Sequence, residues 1–497
     1  MLFDLTLGRA SQYWPRAVAI IDGERSVTFG ELNQRVCRLA ALLHHKGFRA
    51  GDRVAFLLPN CLEFVEVLFT CLRLGLIAVP LNTRLTVSEL DAILEDSGAR
   101  GMVRHRDLPL PNYPAEWQVT VGEEPMEGMD GDLPSAPFDP ELVLGLFYTS
   151  GTTGVAKGVM LTHANWQATV HHFSQFIRMD RNEVWMHAAP MFHVADFPLM
   201  LSAVQAGARQ VTLPRFEPAS FCKAVEQHGV TQTLLIPTML NFITLHPELG
   251  AYDLSSLHTV LYGGSPIAPE VISRVRQKLP KMRLVQGYGA TETASGVVFL
   301  MDSEHDGPLV RACGRPARGV AAEIVNEDGQ PVAPGESGEV IVRSPSVMKG
   351  YWNKPEETAK AFFGKWYRTG DVAVRDEEGY IFIVDRAKDM IVTGGENVYS
   401  TEVEAVIYGH PAIREAAVIG TPHETWGELV TACVSFRDGA TACSEELTQF
   451  CKQRLAGYKV PKRWEFFAPE LPKNGTGKIL KRELRAPFWK DQARQVG

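Results

Sequence analysis

The stretch Tyr148-Thr149-Ser150-Gly151-Thr152-Thr153-Gly154-Val155-Ala156-Lys157-Gly158 carries a dense set of groups suited to a phosphate. Glycine backbone approaches an anion closely, and hydroxyls with N–H groups supply donors that need no single rotamer. Lys157 adds a cation. Gly158 follows it, so the spacing departs from G-x-x-x-x-G-K-[ST] and disfavours a P-loop kinase or GTPase. Farther on, Gly287-Tyr288-Gly289-Ala290-Thr291-Glu292 sets two glycines around an aromatic that could lie against a flat base. Thr291 then offers a neutral donor, and Glu292 a hard oxygen ligand for Mg²⁺ beside phosphates. Asp371 ends Thr369-Gly370-Asp371, expected to be a tight turn whose carboxylate accepts from vicinal hydroxyls such as those of a ribose. Lys478, in Gly475-Thr476-Gly477-Lys478, is a poor structural choice and a good mobile cation.

These groups need a frame. Between residues 17 and 105, short apolar runs at 17–22, 53–58 and 78–80 predict strands, and 28–46 and 61–74 predict helices. Residues 108–140, rich in Pro, Gly and acidic side chains, predict a loop. A second alternation predicts strands at 142–147, 184–189, 210–213, 233–236, 259–262 and 283–286, with helices between them. Beyond Asp302, runs at 322–325, 338–343 and 380–384 predict an antiparallel subdomain, and a βα pattern with helices at 400–408, 444–455 and 479–484 follows. The expected fold class is α/β: a large N-terminal domain of two helix-covered, mainly parallel sheets with a small antiparallel β-subdomain, then a small α+β C-terminal domain. Domain bounds are placed at 1–385 and 390–497, with a hinge at 386–389.

Seven motifs stand in one order across nearly the whole chain. After the 148–158 loop come Pro190-Met191-Phe192-His193, Tyr262-Gly263-Gly264-Ser265-Pro266, the 287–292 run, Tyr367-Arg368-Thr369-Gly370-Asp371, Asp385-Arg386-Ala387-Lys388-Asp389, and Asn474-Gly475-Thr476-Gly477-Lys478. The set resembles the adenylate-forming superfamily of acyl- and aryl-CoA ligases, amino-acid adenylation domains and beetle luciferases. The resemblance implies ATP, Mg²⁺ and CoA as cofactors and a carboxylic acid as substrate. It implies that Tyr288 meets adenine, Thr291 the α-phosphate, Glu292 the metal and Asp371 the ribose. Thr149, Ser150, Gly151, Thr152, Thr153, Gly154 and Lys157, with Gly263, Gly264, Ser265, Gly287 and Gly289, complete the implied nucleotide site. Arg386 is implied to contact the nucleotide, Lys388 to be the pivot of a mobile small domain, and Lys478 to reach the carboxylate and α-phosphate.

His193 resembles the histidine lining the acyl channel, with Asp196 a candidate to orient it. Phe192, Val194, Ala195, Pro237, Gly263, Gly264 and Gly287, mostly apolar or small, are candidate acid-pocket residues, favouring a medium or long acyl chain or an aryl acid over acetate. Gly394-Gly395-Glu396-Asn397, Trp426, Tyr458 and Lys462 resemble positions along the CoA arm. Two departures stand out. Ala156 and Ser400 each occupy a place where the family often has Pro, which implies looser backbone at both. The reading is an AMP-forming acid–CoA ligase of the fatty-acyl or feruloyl (hydroxycinnamoyl) type. The alternatives are an adenylation enzyme that loads a carrier protein and a non-catalytic nucleotide- or acyl-binding protein.

Composition agrees. The chain has 497 residues, Lys+Arg 50 against Asp+Glu 58, and a formal charge of −8, which argues against a nucleic-acid partner. A hydrophobic fraction of 45% excludes a disordered chain. The eight cysteines include no C-x-x-C pair, so neither a zinc cluster nor a disulfide framework is expected, and a reducing, cytoplasmic setting fits. No apolar run reaches the length of a membrane span, although a long-chain acid would be compatible with peripheral membrane contact. Monomer and homodimer both remain open.

Overall fold

The computed structural model describes residues 4–122, 126–133, 139–150, 156–265, 267–386, 389–394, 396–473 and 479–489. Four sheets organise them. In the first, nine strands run in the order Arg315–Pro316, Ser295–Leu300, Arg283–Ala290, Thr259–Gly263, Gln232–Leu235, Val184–His187, Arg209–Thr212, Val18–Asp22 and Arg25–Thr28. Its middle strands are parallel and its edges antiparallel. The second has seven strands, with Arg53–Leu57, Ile77–Pro80 and Gly101–His105 parallel at one end and the hairpin Val143–Ser150/Ala156–Thr162 at the other.

Local chemistry sets the helix ends. Thr28 and Glu31 form a reciprocal capping box at the start of Phe29–His45, and Thr86 with Glu89 does the same for Val87–Ser97. Every residue of the helix Leu62–Leu74 except Arg73 is buried. Its two glutamates tolerate this because Arg25 donates to Glu63 at 2.5 Å and Arg35 pairs with Glu66.

A third, antiparallel sheet holds Ala321–Val325, Ser337–Arg343, Phe362–Phe363, Trp366–Arg375 and Ile381–Arg386. The fourth begins at Ile391 and is built on the long pair Ile413–His423 and Gly427–Phe436, with Arg463–Phe467 parallel to the latter. The helices Ser400–Tyr408, Ser444–Lys452 and Lys481–Trp489 accompany it. No helix among the described residues is long and apolar enough to cross a membrane.

Four expectations are corrected. The predicted loop at 108–140 contains a strand, Trp117–Val121, whose alternating side chains pair in parallel with Gly101–His105. The tight turn expected at Asp371 lies inside the strand Trp366–Arg375, where Gly370 at φ +71° takes up a local irregularity. The strand predicted to stop at Gln286 runs on to Ala290, because the glycines at 287 and 289 pair across to Phe299 and Gly296. The last helix also starts later than predicted, at Lys481.

Candidate active site

A cleft of about 2060 Å³ opens along the ends of the first two sheets, with the third and fourth sheets closing its sides. Thr149 and Lys157 face each other across the hairpin, as do Ser150 and Ala156, so 151–155 connects two paired strands. Ala156 is thus held in a ladder. Lys157 donates to Glu357 Oε2 at 2.5 Å and lies 5.1 Å from the centre of the Tyr351 ring. Lys157 and Lys360 together hold the Glu357 carboxyl below its usual range.

Glu292 sits in the one-turn helix Thr291–Thr293, directly after the strand that carries Tyr288. Tyr351 donates to Glu292 Oε1 at 2.9 Å, and the Met348 N–H donates to the Glu292 carbonyl at 2.7 Å. Burial, then the charge of Glu292, raises the Tyr351 phenol far above its ordinary value, so it remains a donor. One oxygen of Glu292 is therefore oriented and the other left for a ligand. No cluster of three or more His, Cys, Asp or Glu suited to a metal occurs among the described residues. A single carboxylate fits Mg²⁺, which is commonly held by one or two carboxylates plus substrate phosphates.

Tyr288 donates to Asp371 Oδ2 at 2.7 Å. Burial, then Asp371, holds its phenol well above the ordinary range. Asp371 is buried, its N–H donates to Thr369 Oγ1 at 3.1 Å, and its cross-strand neighbour is Arg386. Gly263 and Gly287 are register partners, and a Cβ on Gly263 would lie 2.1 Å from the Gly287 carbonyl oxygen, so the close approach of these strands requires glycine.

His193, Phe192, Val194 and Pro237 line the cleft with Gly263, Gly264, Ser265 and Gly287. The segment before His193 is held by Asn60, which donates to the His187 and Ala189 carbonyls at 2.9 and 2.8 Å and accepts from the Met191 N–H at 2.8 Å. Sequence reasoning missed Asn60, since its partners lie about 130 residues away. It also missed Tyr351 and Glu357. The suggestion that Asp196 orients His193 is corrected: Asp196 binds His187 Nδ1 at 2.5 Å and accepts from Trp185 Nε1 at 3.0 Å, because strand Val184–His187 runs beside the start of helix Phe197–Ala206. His193 Nδ1 instead accepts from the Ala195 N–H at 3.3 Å.

Gly151, Thr152, Thr153, Gly154, Lys388, Gly395 and Lys478 lie outside the described residues, as do the side chains of Ser150, Arg386 and Asn397. The ends of 474–478 are joined by a bridge between Lys473 and Ile479, and residues 479–483 line the cleft. Gly394, Trp426, Tyr458 and Lys462 do not. Trp426 and Tyr458 are 53% and 43% exposed, and the Trp426 ring lies where a Cβ on Gly394 would be, 2.8 Å away. Ser400, expected to be loosened by the absence of Pro, is fully buried and hydrogen-bonded.

A family model described as AMP-binding enzyme matches residues 7–352, and one described as AMP-binding enzyme C-terminal domain matches 402–478. The chain belongs to the AMP-binding enzyme family. It is 41% identical over 485 residues to feruloyl-CoA synthase of an Amycolatopsis species, covering 97% of this chain and 98% of that one. It is 35% identical over 501 residues to the fatty acid–[acyl-carrier-protein] ligase ScoC of Streptomyces coeruleorubidus, covering 98% and 96%. Among solved structures it is similar to o-succinylbenzoate coenzyme A synthetase (MenE) of Bacillus subtilis in complex with ATP and magnesium ion, with a TM-score of 0.87, 30% identity, and 96% and 98% coverage. As a member of this family it is an AMP-forming acid–thiol ligase that uses ATP, Mg²⁺ and CoA.

Proposed function

We propose that this enzyme activates an aryl acid of the hydroxycinnamate type and transfers it to CoA. The observation that carries this reading is the apolar end of the cleft. Phe173, Ala189, Leu234, Leu261, Gly287 and Gly296 line it, and Phe299 backs it, stacking on Phe176 at 4.4 Å and meeting Phe173 edge-on at 5.0 Å. Aromatic and small walls favour a flat ring, whereas a long alkyl chain would need an open channel. The 41% identity to feruloyl-CoA synthase supports the same class.

In this reading residues 1–385 bind the nucleotide and the acid, 386–389 form the hinge, and 390–497 move. Asp371 accepts from the ribose hydroxyls, and its bond from Tyr288 fixes the carboxylate for that role. The 149–157 hairpin cradles the β- and γ-phosphates, with Lys157 leaving Glu357 to meet them. Thr291 donates to the α-phosphate, and Glu292 holds the metal. Mg²⁺, when bound, offsets charge on the phosphates. The acid's carboxylate attacks the α-phosphorus, pyrophosphate departs and acyl-AMP remains; Lys478 supports the charge that develops there. The CoA thiolate then attacks the acyl carbonyl, and AMP leaves. Gly394 and Trp426 lie outside the cleft here, so the second step requires the small domain to turn and bring them to it.

The test is a panel of cinnamic, benzoic and fatty acids, read as acid-dependent AMP formation and as hydroxylamine-trapped acyl-AMP. Hydroxycinnamic acids are expected to give the highest kcat/KM. Gly287→Val should cost them about 10²-fold while sparing short acids, because a Cβ there already stands 3.4 Å from the Phe299 ring and the added methyls must enter the cavity. Palmitate or acetate as best acid would overturn the assignment. The similarity to ScoC favours one further arm, an acyl-carrier protein in place of CoA.

A further inference from the structure

The carboxylate of Asp385 stands at the end of strand Ile381–Arg386, in the sheet that also carries Asp371. Across the hinge, the helix Ser400–Tyr408 begins against it. The Ser400 N–H donates to Asp385 Oδ2 at 2.6 Å, and the Ser400 hydroxyl donates to Oδ1 at 3.0 Å. Lys481 donates to Ser400 Oγ at 2.6 Å and pairs with Glu404 at 2.6 Å. The Thr401 hydroxyl adds a bond to the Val384 carbonyl. Asp385 is 2% exposed and Ser400 0%, so water competes little for these bonds.

The electrostatics agree with the geometry. A free helix N-terminus favours a carboxylate, and Asp385 supplies one from the other domain. Burial lowers the affinity of Lys481 for its proton, but Glu404, Asp385 and Asp389 outweigh it and the net shift is upward, so the ammonium stays charged. Asp389 is itself paired with Arg485 at 3.2 Å, on the same helix as Lys481.

We propose that Ser400 and Lys481, closing on Asp385, are positioning residues that latch the small domain in the adenylating arrangement. This rests on the two-step reading above. Asp385 lies before the pivot expected at 388, and both partners lie after it. A turn of the backbone at 387–388 carries Ser400 and Lys481 away from Asp385, so the latch exists only on one side of the domain movement. That side is the one in which 479–483, directly following Lys478, line the cleft. Opening the latch strips the buried Asp385 carboxylate of the Ser400 bonds while Lys481 keeps Glu404 within the small domain, and the balance between the two half-reactions is set accordingly.

The experiment uses the full-length enzyme with two substitutions. Ser400→Ala removes the hydroxyl that links Lys481 to Asp385. Ser400→Pro removes the hydroxyl and the N–H together, yet suits the first position of a helix, and Tyr399 before it is already extended at φ −79°, ψ 117°. Acyl-AMP formation in a single turnover is expected to slow about five-fold with Ser400→Ala and further with Ser400→Pro. Thioester formation from supplied acyl-AMP should hold or accelerate. A merely structural role would depress both steps together, and that result, or no change in either, overturns the latch. Energy transfer between a dye on the exposed Cys443 and one at Arg178→Cys, on the large domain, reads the arrangement without chemistry. Both variants should broaden the distance distribution of the free enzyme. If they do so while no acid activates ATP, the two-step reading fails and the latch survives; if the half-reactions run but distance and ratio are unmoved, the latch fails alone.

Discussion

Lys478→Ala is expected to slow acyl-AMP formation by about 10²–10³-fold, the usual effect of removing one preorganised donor from a developing oxyanion. Thioester formation from supplied acyl-AMP should change by less than about three-fold, since the proposed turn of the small domain withdraws this residue before the second step. The framing of the loop supports so large an effect. Its ends are joined by the Lys473–Ile479 bridge, and the Leu480 N–H donates to the Pro472 carbonyl at 2.8 Å. Lys473 is tied to Glu470 at 2.8 Å and to Glu415, and its ammonium lies 5.7 Å from the centre of the Phe242 ring, on the wall of the cleft. The base of the loop is thus tied down within the small domain and stands beside the cleft wall at Phe242. The measurement is pyrophosphate release in a single turnover beside CoA acylation from synthetic acyl-AMP. Equal loss in both would remove Lys478 from the first step.

The largest stability effect is expected at Asp196. Asp196→Ala should destabilise the protein by about 3–5 kcal/mol, because it strips the partner from a buried charge. Asp196 is 1% exposed and His187 0%, and Gln210 Oε1 completes the imidazole at 3.0 Å. Burial pulls the His187 pKa down from 6.5, but the charge of Asp196 and its hydrogen bond prevail and the net shift is upward. A folded-state value above the unfolded one means that the stabilisation is fully present below about pH 6.5 and is lost as pH rises through the folded value. The gap in melting temperature between wild type and Asp196→Ala should therefore be wider at pH 6 than at pH 9. A narrow gap independent of pH would show that His187 is neutral throughout.

Particular residues show why some of this was legible and some was not. The helix Phe29–His45 was legible as an amphipathic run, whereas Val87–Ser97 was not predicted, although Thr86 with Glu89 marks its start within a few positions. The short parallel strands were visible as apolar runs between helical stretches, whereas Trp117–Val121 was hidden by the Pro- and Gly-rich residues around it. The tight turn expected at Asp371 failed for a related reason: Thr-Gly-Asp carries a local turn signal, but pairing with Ser337–Arg343 and Ile381–Arg386 on either side draws it into a strand.

By itself the sequence determined the chemical inventory and its order: a glycine–hydroxyl loop with Lys157, an aromatic and two acids at Tyr288, Glu292 and Asp371, and a late lysine. Only the tertiary structure decided the partners that hold those groups. Lys157 meets Glu357 across 200 positions, Tyr288 meets Asp371 across 83, and Ser400 joins Asp385 to Lys481. The physical reason is range. Caps, turns and periodicity act between neighbours in the chain, whereas buried polar pairs are selected by which surfaces the packed sheets bring together, and no local pattern records that choice.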